Sequence, residues 1–110
     1  MGSHRARRLL SVRQGDHVMR APELLHKAAS IMEERGKEYD KPEGERSMGR
    51  AVRAFNAITG RGLSEAEGWL LLQILKDARQ WQNPGRYHAD SAEDCIAYSA
   101  LKAEALAEGN

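Results

Sequence analysis

Carboxylates and cations that could do chemistry are concentrated in three short segments of this sequence, and the first spans residues 33–47. Its candidate metal ligands and phosphate-binding cations are Glu34, Lys37, Glu38 and Arg46. Carboxylate oxygens are the ligands that Mg²⁺ prefers, whereas lysine, arginine and a helix N-terminus bind phosphate. The same residue types also suit a charged helix end followed by a solvated turn. Both interpretations stay open, because long ordered loops are often functional.

The second segment lies late in a strongly apolar stretch and contains Lys76, Asp77 and Arg79. On a helix, Asp77 shares a face with Leu70 and Ile74, which predicts that it points inward. Charges in such a place need partners, because an unpaired buried charge is costly. We favour an intramolecular ion pair near the end of the domain, and the alternative is that Lys76 and Arg79 form an anion clamp.

The third segment contains the strongest single candidate, Asp94. We interpret Asp90 and Glu93 as capping residues of the last helix, so they have a structural explanation. Asp94 has none, and it shares a helix face with Tyr98 and Leu101. A carboxylate on a core-facing position needs a cation, a metal ion or a proton.

The elements that must position these residues are all helical, because apolar residues recur at spacings of three and four and never alternate over a sustained stretch. The predicted helices cover about 22–35, 47–60, 65–82 and 90 to the C-terminus. Gly36 is expected to stop the first helix, and Ser64 with Glu67 fits a capping box for the third. The third helix is apolar over more than half its circumference, so we expect it to be the most buried.

The sequence therefore predicts an all-α, four-helix bundle-like single domain over residues 21–110. Residues 1–20 form a separate, flexible basic arm with five arginines and one aspartate, net +4, against −3 for the rest. We interpret the arm as a solvated leader; binding of nucleic acid through it is the less favoured alternative. One cysteine, Cys95, excludes an internal disulfide, and no apolar run is long enough to span a bilayer, so we expect a soluble cytoplasmic protein.

Six motifs spread over residues 22–108 resemble an uncharacterised family of small helical phage and prophage proteins. The motifs are Glu34-Arg35-Gly36-Lys37-Glu38-Tyr39-Asp40, Pro42-Glu43-Gly44-Glu45-Arg46-Ser47-Met48, Ala54-Phe55-Asn56-Ala57-Ile58-Thr59-Gly60, Gly68-Trp69, Leu75-Lys76-x-x-Arg79 and Asp90-Ser91-x-Glu93-Asp94-x-x-Ala97-Tyr98. This resemblance implies a phage genome as the setting and the cytoplasm of the host cell as the location.

The order of the motifs is also similar, more loosely, to phage proteins associated with nucleotide modification and to the MazG-like all-α nucleoside triphosphate pyrophosphohydrolases. Those enzymes hold Mg²⁺ around a triphosphate with carboxylates on helices. The resemblance implies metal ligation by Glu34, Glu38, Asp90 and Asp94, catalysis by Asp94 and Glu38, and phosphate binding by Lys37, Lys76 and Arg79, with Arg46 beside them. The sequence departs from the enzymes at their Glu-x-x-Glu helix, for which the third helix offers only Asp77.

Two function classes follow as expectations. The first is a nucleotide-binding protein or Mg²⁺-dependent pyrophosphohydrolase. The second is a non-enzymatic accessory or counter-defence protein that inhibits a host protein or sequesters a nucleotide signal. In either case the surplus of apolar surface on the third helix predicts a homodimer or a higher even state. The loop from Gly36 to Ser47 is expected to be ordered, with Tyr39 packed on the bundle and Arg46 paired with Asp94 or Glu34.

Overall fold

A computed structural model describes residues 18–38 and 47–110 of the chain, and for Lys37 and Glu38 the description covers the helical backbone. Its four helices are α1 (Ala21–Glu38), α2 (Ser47–Thr59), α3 (Glu65–Trp81) and α4 (Ala89–Ala107). These ranges contain no strand, and the helices pack against one another, which confirms the predicted all-α class. Among the described helices, none has the length and apolar character that crossing a membrane requires.

The centre of the fold is an antiparallel pair formed by α3 and α4, which make the most extensive contact in the described part of the chain. Trp69 of α3 stacks on Tyr98 of α4 with ring centroids 5.6 Å apart and an angle of 28° between the planes. Near the other end of the pair, Lys76 meets Asp94. Residue numbers thus fall along one helix as they rise along the other. The short connection between the two helices predicts this arrangement.

The first helix packs on α4 and runs in the same direction as its neighbour. Lys27 contacts Glu93 near the start of α4, and Met32, farther along α1, packs against the core cluster that includes Leu101. Among the described residues, the α1 backbone approaches only that of α4. The later turns of α1 therefore lie farther from the N-terminal end of α4 than Lys27 does.

The second helix crosses the first turns of α3, and a glycine makes the close approach possible. A Cβ at Gly68 would collide with Sδ of Met48 and would lie 3.1 Å from Cγ1 of Val52. The loop between the two helices is held by Asn56, whose side-chain amide bonds both the N–H and the C=O of Leu63, at 2.8 and 2.9 Å. This end of the molecule is built by small residues and side-chain packing.

The helix boundaries confirm the predicted start of α3 and correct the predicted end of α1. The capping box is present: the Ser64 hydroxyl accepts from the Glu67 N–H at 3.0 Å and Glu67 accepts from the Ser64 N–H at 2.8 Å. The prediction that Gly36 ends the first helix is wrong, because α1 continues to Glu38. Gly36 tolerates the helical backbone with open space around it, at a cost in backbone entropy only.

The predicted capping role of Asp90 and Glu93 at the start of α4 is also wrong. His88 is the N-cap, and its Nδ1 accepts from the Ser91 N–H at 3.2 Å. Asp90 lies in the first turn, where its charge complements the helix dipole. Glu93 points toward α1 instead of back along its own backbone.

The core lies between α3 and α4, on a face of α3 that the sequence does not predict. Its buried cluster consists of Ala66, Trp69, Leu101 and Ala105. The large apolar side chains on the opposite side of α3 are exposed in the single chain, namely Leu70, Leu71, Ile74, Leu75 and Trp81. The expectation that this helix is the most buried is therefore wrong for the isolated chain. A helix that is apolar nearly all round gives periodicity no means of choosing its inner face.

Candidate functional site

The most enclosed ion pair in the described part of the chain joins two residues that the sequence singles out. Nζ of Lys76 lies 2.9 Å from Oδ2 of Asp94, with 13% of the lysine side chain and 27% of the aspartate side chain exposed. Lys76 is thus the cation that the core-facing position of Asp94 requires. The preferred interpretation of Lys76, an intramolecular ion pair near the end of the bundle, is confirmed.

Arg79 and Asp90 lie at this same end of the α3–α4 pair. The end is closed by Gln80, whose Oε1 accepts from the His88 N–H and whose Nε2 donates to the Arg86 carbonyl, both at 2.8 Å. These bonds hold the last turn of α3 level with the first turn of α4. Four of the predicted site residues therefore share one end of the helix pair, which we call the charged end: Lys76, Arg79, Asp90 and Asp94.

The two cations and two carboxylates of the charged end sum to zero charge, and Lys76 is paired with Asp94. Arg79 is exposed and makes no ion pair with any described residue, so its guanidinium is available. The N-terminus of α4 adds the positive end of a helix dipole beside it. Asp90, in the first turn of α4, is exposed to solvent and can accept a cation from outside.

A second ion pair, on the opposite side of α4, was missed by sequence reasoning. Nζ of Lys27 lies 2.8 Å from Oε2 of Glu93, and only 11% of the glutamate side chain is exposed against 45% of the lysine side chain. The hydrogen bond and charge of Glu93 raise the pKa of Lys27 above its ordinary value of 10.5. The available signal was spacing: Glu93 stands eight residues before Leu101 and so lies near its helix face.

The single cysteine lies on the α3 side of the same helix. Sγ of Cys95 donates to Oδ1 of Asp77 at 3.7 Å, and partial burial, followed by the charge of Asp77, raises the pKa of the Cys95 thiol. Asp77 itself is exposed, so the expectation that it points inward with Leu70 and Ile74 is wrong. Gln73 also faces this region, and its buried Oε1 has no hydrogen-bond partner in the part of the chain that the structure describes.

The predicted metal ligands whose side chains are described do not come together at one place. Glu34 is exposed on α1, about 10 Å of helix rise beyond Lys27 and so away from Asp90. Residues 18–38 and 47–110 contain no group of three or more histidine, cysteine, aspartate or glutamate side chains placed to hold a metal ion. The side chains of Lys37 and Glu38, and all of Tyr39 and Arg46, lie outside the described residues. Their expected roles stay predictions.

The geometry thus defines a small all-α domain built around the α3–α4 pair. One end of this pair is the charged end, and we call the other the packed end, formed by Ala66, Trp69, Tyr98 and Ala105. Residues 23–106 match a family described as a domain of unknown function, DUF6378, and the chain belongs to that family. No curated protein and no solved structure matches the chain.

Proposed function

We propose that this chain is a phage-encoded nucleotide-handling protein of the host cytoplasm that binds the phosphates of a nucleotide at the charged end of α3 and α4. One observation carries the proposal: the antiparallel pair brings the predicted phosphate-binding cations Lys76 and Arg79 to the same end as the predicted metal-side carboxylates Asp90 and Asp94. These are the residue types that a phosphate chain with its counter-ion requires.

The two cations of the charged end, Arg79 and Lys76, would contribute to phosphate binding in different ways. Arg79 is exposed and can form bidentate hydrogen bonds with phosphate oxygens. Lys76 is held by Asp94, so an arriving phosphate competes with the aspartate for the ammonium group. Once displaced, Asp94 would be free to ligate Mg²⁺ beside Asp90, and Lys76 would offset charge on the phosphate. Pyrophosphohydrolase chemistry, in which water attacks a phosphoanhydride bond and pyrophosphate leaves, is the enzymatic form of this proposal, with Asp94 as its catalytic carboxylate; the end of α1 that carries Glu38 lies away from this site.

Binding and turnover are tested in one experiment on the full chain. Nucleoside triphosphates are titrated calorimetrically in the presence of Mg²⁺, and pyrophosphate release is followed in parallel. We expect binding that Arg79→Gln weakens at least about tenfold, since a charged hydrogen bond to phosphate contributes about 1.5–3 kcal/mol. Arg61→Gln, which removes an exposed arginine from the connection between α2 and α3, serves as the control and should bind like wild type.

Turnover separates the enzymatic form from the binding form. Pyrophosphate release that is lost in Asp94→Asn and kept in Glu108→Gln, a carboxylate at the far end of α4, would support hydrolysis. Binding without release would support a protein that only holds the nucleotide. Absence of both, with every nucleotide tried, would contradict the proposal in either form.

The second candidate function is non-enzymatic: a counter-defence protein that sequesters a nucleotide signal or inhibits a host protein. The Lys76–Asp94 ion pair favours it, because a carboxylate already neutralised by a lysine is a poorer metal ligand than a free one. Sequestration predicts that unaltered nucleotide co-purifies with the chain in a one-to-one ratio. Inhibition predicts that one host protein co-purifies in place of it.

Homo-oligomer formation, as a dimer or a higher even state, is part of the proposal. It rests on the exposed apolar side chains of α3, which a single chain leaves in water. The molar mass of the full chain in solution tests it.

A further inference from the structure

The exposed side of α3 has the residue spacing of a helix–helix seam. Leu71, Ile74, Ala78 and Trp81 follow one another at intervals of three, four and three, and Leu70 and Leu75 flank them. Such spacing keeps apolar residues along one stripe that faces a partner helix. We define the outer seam of α3 as these six residues.

Among the described residues, none covers the outer seam. Leu71 is 59% exposed, Trp81 70% and Ile74 52%. With Leu70 and Leu75, these side chains leave on the order of 500 Å² of apolar surface in water, which is at the upper end for the largest patch on a typical monomer. A standard interface takes about 800 Å² from each partner, so the seam and its polar rim are of the size that a stable dimer needs.

We propose that the outer seam binds a second copy of this chain, with the two α3 helices antiparallel about a two-fold axis near Ile74. A two-fold interface uses the same patch twice, and a straight stripe on one helix can meet itself in that way. This inference rests on the homo-oligomer proposed above and specifies its surface and orientation; it does not rest on nucleotide binding, because no seam residue belongs to the charged end.

Charge along α3 selects the antiparallel orientation. The first turn carries Glu65 and Glu67, and the last turn carries Arg79. A parallel pair would place the acidic turns beside each other and align the two helix dipoles. An antiparallel pair separates the two acidic turns, opposes the two helix dipoles, and places Leu71 opposite the small side chain of Ala78.

Light scattering of the full chain at tens of micromolar tests the assembly. We expect about twice the chain mass of 12.3 kDa for wild type. Ile74→Glu would bury a charge near the axis, so it should weaken dimerisation at least about a hundredfold and give a monomer. The change adds no cost to the single chain, because the position is half exposed and glutamate favours helix. Leu106→Glu, on an equally exposed leucine of α4, should remain dimeric.

Disulfide trapping in a Cys95→Ser background tests the orientation. Ile74→Cys should form an inter-chain disulfide on mild oxidation, and Gln82→Cys, beyond the end of α3, should not. A disulfide at Gln82→Cys would overturn the antiparallel arrangement. A monomeric wild type, or a dimer that survives Ile74→Glu, would overturn the proposal and assign the outer seam to a different protein or to another segment of the chain.

Discussion

The two ends of the α3–α4 pair are built on different principles. At the packed end, Ala66 and Trp69 of α3 lie in one buried cluster with Leu101 and Ala105 of α4, and Trp69 stacks on Tyr98. At the charged end, Lys76 and Asp94 lie between the same two helices and bond to each other. The packed end can therefore supply most of the stability, while the charged end carries the residues of the proposed site. Substitutions at the two ends should accordingly differ in what they change.

The largest loss of stability should come from the packed end. Trp69→Ala removes a side chain that is 6% exposed and stacked on Tyr98, and we expect it to cost about 3–5 kcal/mol. Urea unfolding followed by circular dichroism measures this loss. Tyr87→Ala, which removes an exposed aromatic residue near the charged end, should cost less than about 1 kcal/mol. Equal effects would remove the distinction between the ends.

A smaller loss should follow from filling the close approach between α2 and α3. Gly68→Ala places a methyl group against the flexible Met48 and the stiff, branched Val52, and we expect a cost of about 1–3 kcal/mol. Gly36→Ala is the matched control, since that glycine is also helical and has open space. It should stabilise the chain by up to about 1 kcal/mol through helix propensity. The opposite order in thermal denaturation would show that α2 does not pack closely at Gly68.

Within the charged end, Lys76 and Asp94 should be energetically coupled. Lys76→Met leaves Asp94 in a partly enclosed place without its cation, and the expected cost is about 1–3 kcal/mol. A double-mutant cycle with Asp94→Asn should give a coupling energy of at least about 0.5 kcal/mol. Additive effects of the two substitutions would mean that the ion pair contributes nothing to stability.

The Lys27–Glu93 pair should make stability depend on pH in the alkaline range. Glu93 raises the pKa of Lys27 in the folded chain above 10.5, so the protonated lysine is favoured by folding. Its contribution is complete below pH 10.5 and is lost as pH rises through the raised value. The difference in unfolding midpoint between wild type and Lys27→Met should therefore be constant near neutrality and shrink above pH 10.5. A difference that grows with pH would contradict this assignment.

The smallest effect concerns the thiol of Cys95. Burial and the neighbouring Asp77 raise its pKa, so alkylation by iodoacetamide at pH 8 should be slower than that of an unfolded control peptide. Asp77→Asn should increase the rate a few-fold by removing the negative charge. A wild-type rate equal to that of the peptide would contradict the burial of this thiol.

Sequence reasoning predicted the helices better than the faces they present. Capping chemistry located the start of α3, because Ser64 and Glu67 bond only to nearby backbone. The prediction of the inner face of α3 was wrong, because apolar residues cover most of the circumference of this helix. The buried side is the one that carries Gly68 and Trp69, and Leu70 and Ile74 are exposed. Asp94 could be predicted to need a cation, but its choice of Lys76 depends on the antiparallel register, which no local pattern encodes.

Amide chemical-shift mapping of the full chain with a Mg²⁺–nucleoside triphosphate tests the central claim most directly, because it reports where the ligand lies whether or not it reacts. We expect the largest changes at the charged end, at residues 76–80 of α3 and 88–94 of α4, with little change around Ala66 and Ala105. Changes centred on the packed end, or no change at saturating nucleotide, would contradict it.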